Sequence, residues 1–436
     1  MDARTAREAA GRLSTLLVNR RSQLKTWDDY YRGQTPRPYV PADRAQEYRS
    51  LLDRAKANMM KSVVDMVAER LKILGVTSSQ GDLADRLWDV WQVSGMDARQ
   101  ARLWRTVLKN GIGYLTVVRR DDGRIILRTA SPMRTIHEVD PAEPERVTLA
   151  ATFWGEEQPG DLRGDTPATF CRLFVPGEWI DLKRAGARWR IVTSGEVAPG
   201  LVSVRPVLNL PDDEGGFTSE LDGLTEIQDR INQTIADRLM AQTFAAHRQR
   251  LIMGWTPGED ENGNPDWPFK PGVNRTWTIE DKDVKAMEFA ATDLNPYLLA
   301  QQTDQKTLAV TSRRPAPYLL GGENPPSADA LQSAEKSGMS AVVGDRKADF
   351  GEDIEAGLNM AAIAMGMPAD DRLEVVWADL EPHSEGMRVD AATKKATLMI
   401  PFEQIWRELG YSPQQISDFP AMLAAFRQAI GQQPAQ

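Results

Sequence analysis

Apolar residues recur at spacings of three and four through the first quarter of the chain. They alternate between Gly111 and Leu210, then return to three and four. A repeat of three and four marks one buried face of a helix, and alternation marks a half-buried strand. The pattern predicts a first helix from about Thr5 to Tyr31, stopped by Gly33 and Pro36. A second is expected from near Pro41 and Asp43 to Gly75, with Leu51, Leu52, Ala55, Met59, Val63, Met66, Val67, Leu71 and Leu74 on one stripe. Two shorter helices, "DLADRLWDVWQVS" and "MDARQARLWRTVLKN", are each closed by a glycine, Gly95 and Gly111.

From Gly111 the period is two. "GYLTVV" and "RIILRT" flank "RRDDG", a hairpin signal. Further strands are expected in "VTLAATFWG", "TFCRLFV", "EWIDLKR", "RWRIVTS" and "VSVRPVLNL", so residues 112 to 210 read as antiparallel meanders. Ser219 with Asp222 resembles a capping box opening a helix to Arg250, with Leu224, Ile227, Ile231 and Ile235 on its stripe. That helix would be about 48 Å long. A Pro/Gly/Asn-rich module follows, with short strands in "RTWTIE" and "VKAMEF". Asn295 and Pro296 begin a helix to Arg313, proline being favoured at the first helical position. Ser327 starts the longest pattern, to about Met365. Gly338, Gly344, Gly351 and Gly357 lie inside it, so it should be bent or held by close neighbours. A strand in "LEVVWAD", helices around "MRVDAATKKATLM" and "FEQIWREL", and a loose Gln-rich tail complete an α+β chain.

The 436 residues, 41% hydrophobic and 26% charged, suffice for two or three domains with real cores. A net charge of −9 argues against a protein gripping nucleic acid over its whole surface. One cysteine, Cys171, excludes an internal disulfide framework and fits a reducing compartment. "MDARTAREAAGRL" lacks a signal peptide's apolar core, and the run around Met360–Met367 is too short to span a bilayer; a soluble, cytoplasmically assembled protein is expected.

Catalytic signatures are missing from the sequence. Gly321 and Gly322 are not followed by Gly-Lys-Ser/Thr, and Pro325 and Pro326 remove amide donors that a phosphate loop would use. His137, His247 and His383 have no partner at metal-ligand or triad spacing. The pairs Asp121–Asp122, Asp212–Asp213 and Asp370–Asp371 fall in predicted turns, where aspartate is favoured locally; Mg²⁺ binding is the minor reading. No catalytic residue, metal or cofactor is expected. Charge is unevenly placed: residues 211–292 hold 16 acidic and 8 basic residues, residues 1–75 hold 9 acidic and 15 basic.

The order of segments carries a resemblance. Long N-terminal helices reach "WDDYYRGQTPRPYVP" and continue as "RAKANMMKSVVDMVAERLKILGV". A β-rich region follows, then "SELDGLTEIQDRINQTIADRL", the small module, a helix, a stiff loop and a very long helix. This resembles the portal (head–tail connector) proteins of tailed bacteriophages, siphophage type, over nearly the whole chain. The resemblance implies long stem helices, a β-rich wing, a small α/β clip and a helical crown. Mapped onto this chain, 1–210 would be wing (helical 1–111, β-rich 112–210), 211–253 stem helix, 254–292 clip and 293–313 second stem helix. Residues 314–327 would be the tunnel loop, 328–366 the long wing helix, and 367–436 crown and tail.

It further implies a self-assembled ring, commonly of twelve subunits, at one capsid vertex of the virion, assembled in the bacterial cytoplasm. Its partners would be double-stranded DNA in transit, the terminase large subunit, head–tail adaptors, and major capsid and scaffolding proteins, with no membrane. Arg313, Arg314, Pro315, Gly321, Gly322, Glu323 and Asn324 would face the DNA channel. Leu224, Ile227, Ile231 and Ile235 would join subunits along the stem, and Trp267, Phe269 and Lys270 would dock motor and adaptors. Proline stiffening around a double glycine suits a loop that holds its shape without a core. An acid-rich lining would let DNA run, since each phosphate neutralised adds binding. A non-portal phage structural or adaptor protein, or a Mg²⁺-dependent phage nuclease, are the alternatives.

Overall fold

The computed structural model describes residues 1–42, 46, 48–155, 168–186, 188–246, 250–253, 258–259, 265–266, 285–288, 292–320, 338–379, 385–409, 411 and 413–431. The chain divides into two compact units. The first comprises Met1–Thr35, Asn58–Gln228 and Lys306–Gln436; the second comprises Pro36–Ala57 and Asp229–Gln305.

The first unit opens with α1 (Ala3–Tyr31), whose N-cap Asp2 accepts from the amides of Arg4 and Thr5. The expected second helix does not form as one piece. Its residues are divided among α2 (Arg49–Arg54) in the second unit, α3 (Met59–Ala68) in the first, and strand β1 (Ile73–Thr77). Asn58 makes the break: its carbonyl caps Lys61 N, while its amide donates to Tyr31 O and ties the restart to the end of α1. A run of short apolar spacings fits two short helices and a strand as well as one long helix. α4 (Leu83–Val93) and α5 (Met96–Asn110) follow, and glycines in left-handed geometry at 95 and 111 close them as expected.

The β-rich region is two antiparallel sheets. Three strands, β2 (Ile112–Arg119), β3 (Ile125–Ala130) and β9 (Val204–Leu208), pair in the order β3-β2-β9. The other five, β4 (Thr135–Asp140), β5 (Glu143–Trp154), β6 (Phe170–Val175), β7 (Glu178–Ala185) and β8 (Arg188–Glu196), form a meander. Alternation sorts the residues of β5 and β6. Leu149, Ala151, Phe153, Cys171 and Leu173 face α1, which meets them with Ala6, Ala9, Ala10, Leu13 and Leu17. Ala150 and Phe174 face Ile112, Tyr114 and Val204 of the smaller sheet. The small residues of α1 let the helix lie close on the sheet.

The second unit holds most of α6 (Thr225–Ala246), which begins in the first. α6 has 22 residues, about 33 Å, and starts later than Ser219. The reason is tertiary. Ser219 Oγ accepts from Leu221 N and donates to Lys109 O at the end of α5, so residues 219–224 make a turn instead of a helix start. Beyond α6, β10 (Arg250–Met253) pairs with β13 (Lys285–Glu288), and β11 (Gly258–Glu259) with β12 (Pro265–Asp266). α7 (Asn295–Thr311) then begins as expected.

After α7 come a five-residue helix, α8 (Ala316–Leu320), and α9 (Ser340–Ala364). Strand β14 (Glu374–Trp377) pairs with β1. α9 crosses β2 and β9 of the first unit, and two of its glycines, Gly351 and Gly357, have packing reasons, while Gly344 faces open space. A Cβ at Gly357 would sit 3.0 Å from Leu115 Cδ1, while one at Gly351 would touch Trp377 and Val375. Trp104 of α5 stacks on Phe350 of α9 and tilts against Trp377, with centroids 5.4 and 5.5 Å apart. Three further helices close the chain: α10 (Glu385–Thr397), α11 (Phe402–Glu408) and α12 (Pro413–Gly431). α12 replaces the loose tail that the Gln-rich sequence predicts. Among the described residues, no helix is long and apolar enough to cross a membrane.

Candidate functional site

The junction after α7 brings together the residues on which the sequence places most weight. Ser312 Oγ donates to Leu308 O, 2.7 Å away. Arg313 N then reaches Val310 O, and Arg314 N reaches Ala309 O, the paired bonds that close a helix through a left-handed residue. That residue is Arg313, with φ 55°, where glycine is usual. A side chain in this region costs about 1–2 kcal/mol.

The reversal gives adjacent arginines opposite fates. Arg313 is exposed, with Asp345 at 3.9 Å. Arg314 is turned inward, its side chain 0% exposed. Its Nη2 donates to Glu220 Oε2 (2.8 Å), its Nε to Val63 O and its Nη1 to Ser312 O. The other oxygen of Glu220 takes Nη2 of Arg346 from α9 at 2.7 Å, with exposures of 7% and 6%. Burial alone pushes the Glu220 carboxyl up, but the two guanidiniums outweigh it and hold the group below the usual carboxylate range. One carboxylate thus joins the entry to α6, the exit of α7 and the body of α9.

Of the seven residues expected at the channel, Arg313 is exposed, whereas Arg314 and Pro315 are buried. Arg314 is therefore a core cation and not one offered to DNA: an acid 94 positions earlier and an arginine 32 later enclose it. Gly321, Gly322, Glu323 and Asn324 lie outside the described residues, as do Trp267, Phe269 and Lys270. The expected loop also starts later than residue 314, because α8 occupies 316–320 and buries Leu319.

On α6, Leu224, Ile231 and Ile235 are buried within a single chain, and Ile227 is half-buried. The stripe that sequence assigns to a subunit interface is already covered by its own chain, leaving little of it for a neighbour. The polar positions between carry work that the sequence reading missed. Gln228 Oε1 accepts from Met59 N, and Asn232 Oδ1 accepts from Ala57 N. Gln233 brackets Tyr39, accepting from its N–H at 2.7 Å and donating to its carbonyl at 3.2 Å. Amides on successive turns of the helix, at 228 and 232, are the signal the sequence offers. In α7, Leu299 and Val310 point outward and are exposed.

The groups considered for chemistry have structural employment. Asp122 accepts from Arg124 N and Asp212 from Glu214 N and Gly216 N, which are local turn bonds, whereas Asp370 accepts from Arg372 N and also from distant Ser78 and Ser79. His137 Nδ1 meets Tyr114 Oη at 2.9 Å, and Arg20 donates to the same hydroxyl. Burial and the charge of Arg20 push His137 down to about 3, so it is neutral at any ordinary pH. Cys171 is buried in the sheet core, which raises its thiol far above the usual range. No group of three or more His, Cys, Asp or Glu among the described residues is placed to hold a metal.

A family model described as "Phage portal protein, SPP1 Gp6-like" matches residues 17–411. Among solved structures, a chain of "Neck of native GTA particle computed with C12 symmetry" is 15% identical, covering 87% of this chain and 96% of that one, with a TM-score of 0.42. A chain of "Virion of native gene transfer agent (GTA) particle" is 15% identical over 84% and 91%, with a TM-score of 0.43. No curated protein matches.

Proposed function

This chain belongs to the SPP1 Gp6-like family of phage portal proteins, and from that premise we propose that it forms the ring at one capsid vertex through which double-stranded DNA enters and leaves. The observation that carries the reading is the extent of the family match, which runs from residue 17 through both units to residue 411. The family is a structural one, and we assign no catalysis to the chain. Packaging energy comes from a separate terminase, docked with the head–tail adaptors on the module between α6 and α7. In this reading α6 and α7 are the stem, the two sheets with α1 and α9 the wing, and α10–α12 the crown.

The charge distribution supports a conduit that does not grip. Residues 211–292 hold twice as many acidic as basic residues, and the burial of Arg314 leaves Arg313 as the exposed cation at that junction. Few free cations mean little counterion release, and so little drag on a moving duplex. Electron microscopy of the purified protein tests the core of this reading. Closed rings with an axial hole are expected, and a persistent monomer across the micromolar range would refute it. Removal of Gly321–Asn324 should leave rings intact while impairing packaging or retention of DNA. Normal packaging would reduce that segment to a connector.

A further inference from the structure

The last helix changes character at one residue. The first half of α12 is docked: Ile416 is buried, and the ring of Phe419 stands edge-on to Trp406 and to Tyr411, 4.9 and 5.0 Å away. Pro420 follows inside the helix. Proline removes one backbone hydrogen bond and bends a helix. Beyond it, Ala421, Met422, Leu423, Ala424, Ala425 and Phe426 are all exposed. Met422 is 64%, Leu423 45% and Phe426 62% exposed.

Six successive helical residues sweep every direction around the axis. This stretch is therefore apolar on all sides and exposed at every residue. A helix that is hydrophobic all round belongs inside a protein assembly. One partner lying along it would leave the opposite side wet. A closed head-to-tail ring instead gives every element two neighbours, the copy before and the copy after. Identical helices can meet here without repulsion, because α12 carries one acid, Asp418, and one base, Arg427. A heterologous contact also needs a second, different patch on the same chain. The α10–α11 turn supplies it, since Leu398, Met399 and Phe402 are all strongly exposed, and Phe402 stacks on the same Trp406 that holds Phe419.

We propose that residues 421–426 are a contact between copies of this chain, seated on Leu398, Met399 and Phe402 of the adjoining copy. The inference rests on the ring reading above. It adds that the crown, and not the buried stripe of α6, contributes an apolar seam between subunits.

The test uses two full-length chains that each gain one cysteine, Leu423→Cys and Met399→Cys, mixed before assembly and treated with a short bis-maleimide. Buried Cys171 stays silent, and neither chain can cross-link these two positions within itself. In parallel, the double variant Leu423→Lys/Phe426→Lys is assayed for ring stability by mass photometry; both positions are exposed, so its fold should survive. Rings that yield cross-linked dimers support the proposal, as does a rise of about tenfold or more in the concentration at which the lysine variant's rings half-dissociate. Rings without cross-links, and with unchanged stability in the lysine variant, overturn this inference while leaving the ring reading intact. Absence of rings from the unsubstituted chain overturns both.

Discussion

Replacing Glu220 by Gln tests whether the buried arginine pair is a central bond of the first unit. The substitution keeps size but removes the one charge between two guanidiniums and turns one of the two accepting oxygens into a donor. Arg314 would keep Val63 O and Ser312 O as acceptors, and Arg346 would keep Asp349 at 4.0 Å. None of these three replaces a carboxylate at 2.7–2.8 Å among side chains at most 7% exposed. Breaking one partner of such a cluster costs about 3–5 kcal/mol. For a unit of this size that corresponds to about 4–7 °C in Tm. Thermal unfolding at fixed protein concentration is the assay, because assembly makes apparent stability concentration-dependent. Arg313→Ala is the control: its exposed pair with Asp345 at 3.9 Å should be worth under about 0.5 kcal/mol. Equal, small effects from the two variants would refute the argument, since they would mean the carboxylate is not compensating two buried cations.

Arg313→Gly should stabilise the chain by about 1 kcal/mol, by relieving the left-handed backbone at φ 55°; chemical denaturation showing a loss would mean that the guanidinium matters more than the turn. Gly357→Val should cost about 1–3 kcal/mol, because even its Cβ would crowd Leu115, and the same denaturation series reads it. Ile231→Asp should unfold the subunit locally before any effect on assembly, seen as lost helicity in circular dichroism, since Ile231 is buried in the single chain. The Asp370 carboxyl is held at about 2 by Ser78, Arg372 N and Ser79, below its ordinary 3.8. Its stabilisation is therefore complete above pH 3.8 and is lost as pH falls toward 2. Asp370→Asn should flatten the acid limb of a pH–stability curve, and an unchanged limb would show that another group dominates.

Local chemistry was readable in the chain. The "RRDDG" turn, the glycine stops at 95 and 111, and the alternating strands of the sheets each rest on neighbours within a few residues. Where the reading failed, the cause lies far away in sequence. Asn58 breaks the expected second helix because Tyr31 O accepts its amide, and Ser219 is drawn off helix capping by Lys109 O. Nothing local to Arg314 distinguishes it from Arg313. Glu220, Arg346 and Val63 do, from distant parts of the chain. The apolar stripe of α6 was visible, but periodicity states that a face is buried and not by whom. α12 was missed for composition alone, although Pro413 at its first position and the spacing of Ile416 and Phe419 are helical signals.

The pairing of β1 with β14 has a consequence for synthesis. Ile73 faces Trp377, and Trp104 packs on both Phe350 and Trp377, so the first unit cannot close until residues about three hundred positions downstream have left the ribosome. At bacterial elongation rates that is a wait on the order of tens of seconds. During it, α5 and β2 expose the apolar surface that α9 will cover. A truncated or stalled product therefore lacks a finished first unit. Late closure makes completeness of the chain a condition for joining the assembly, a proofreading step written into topology.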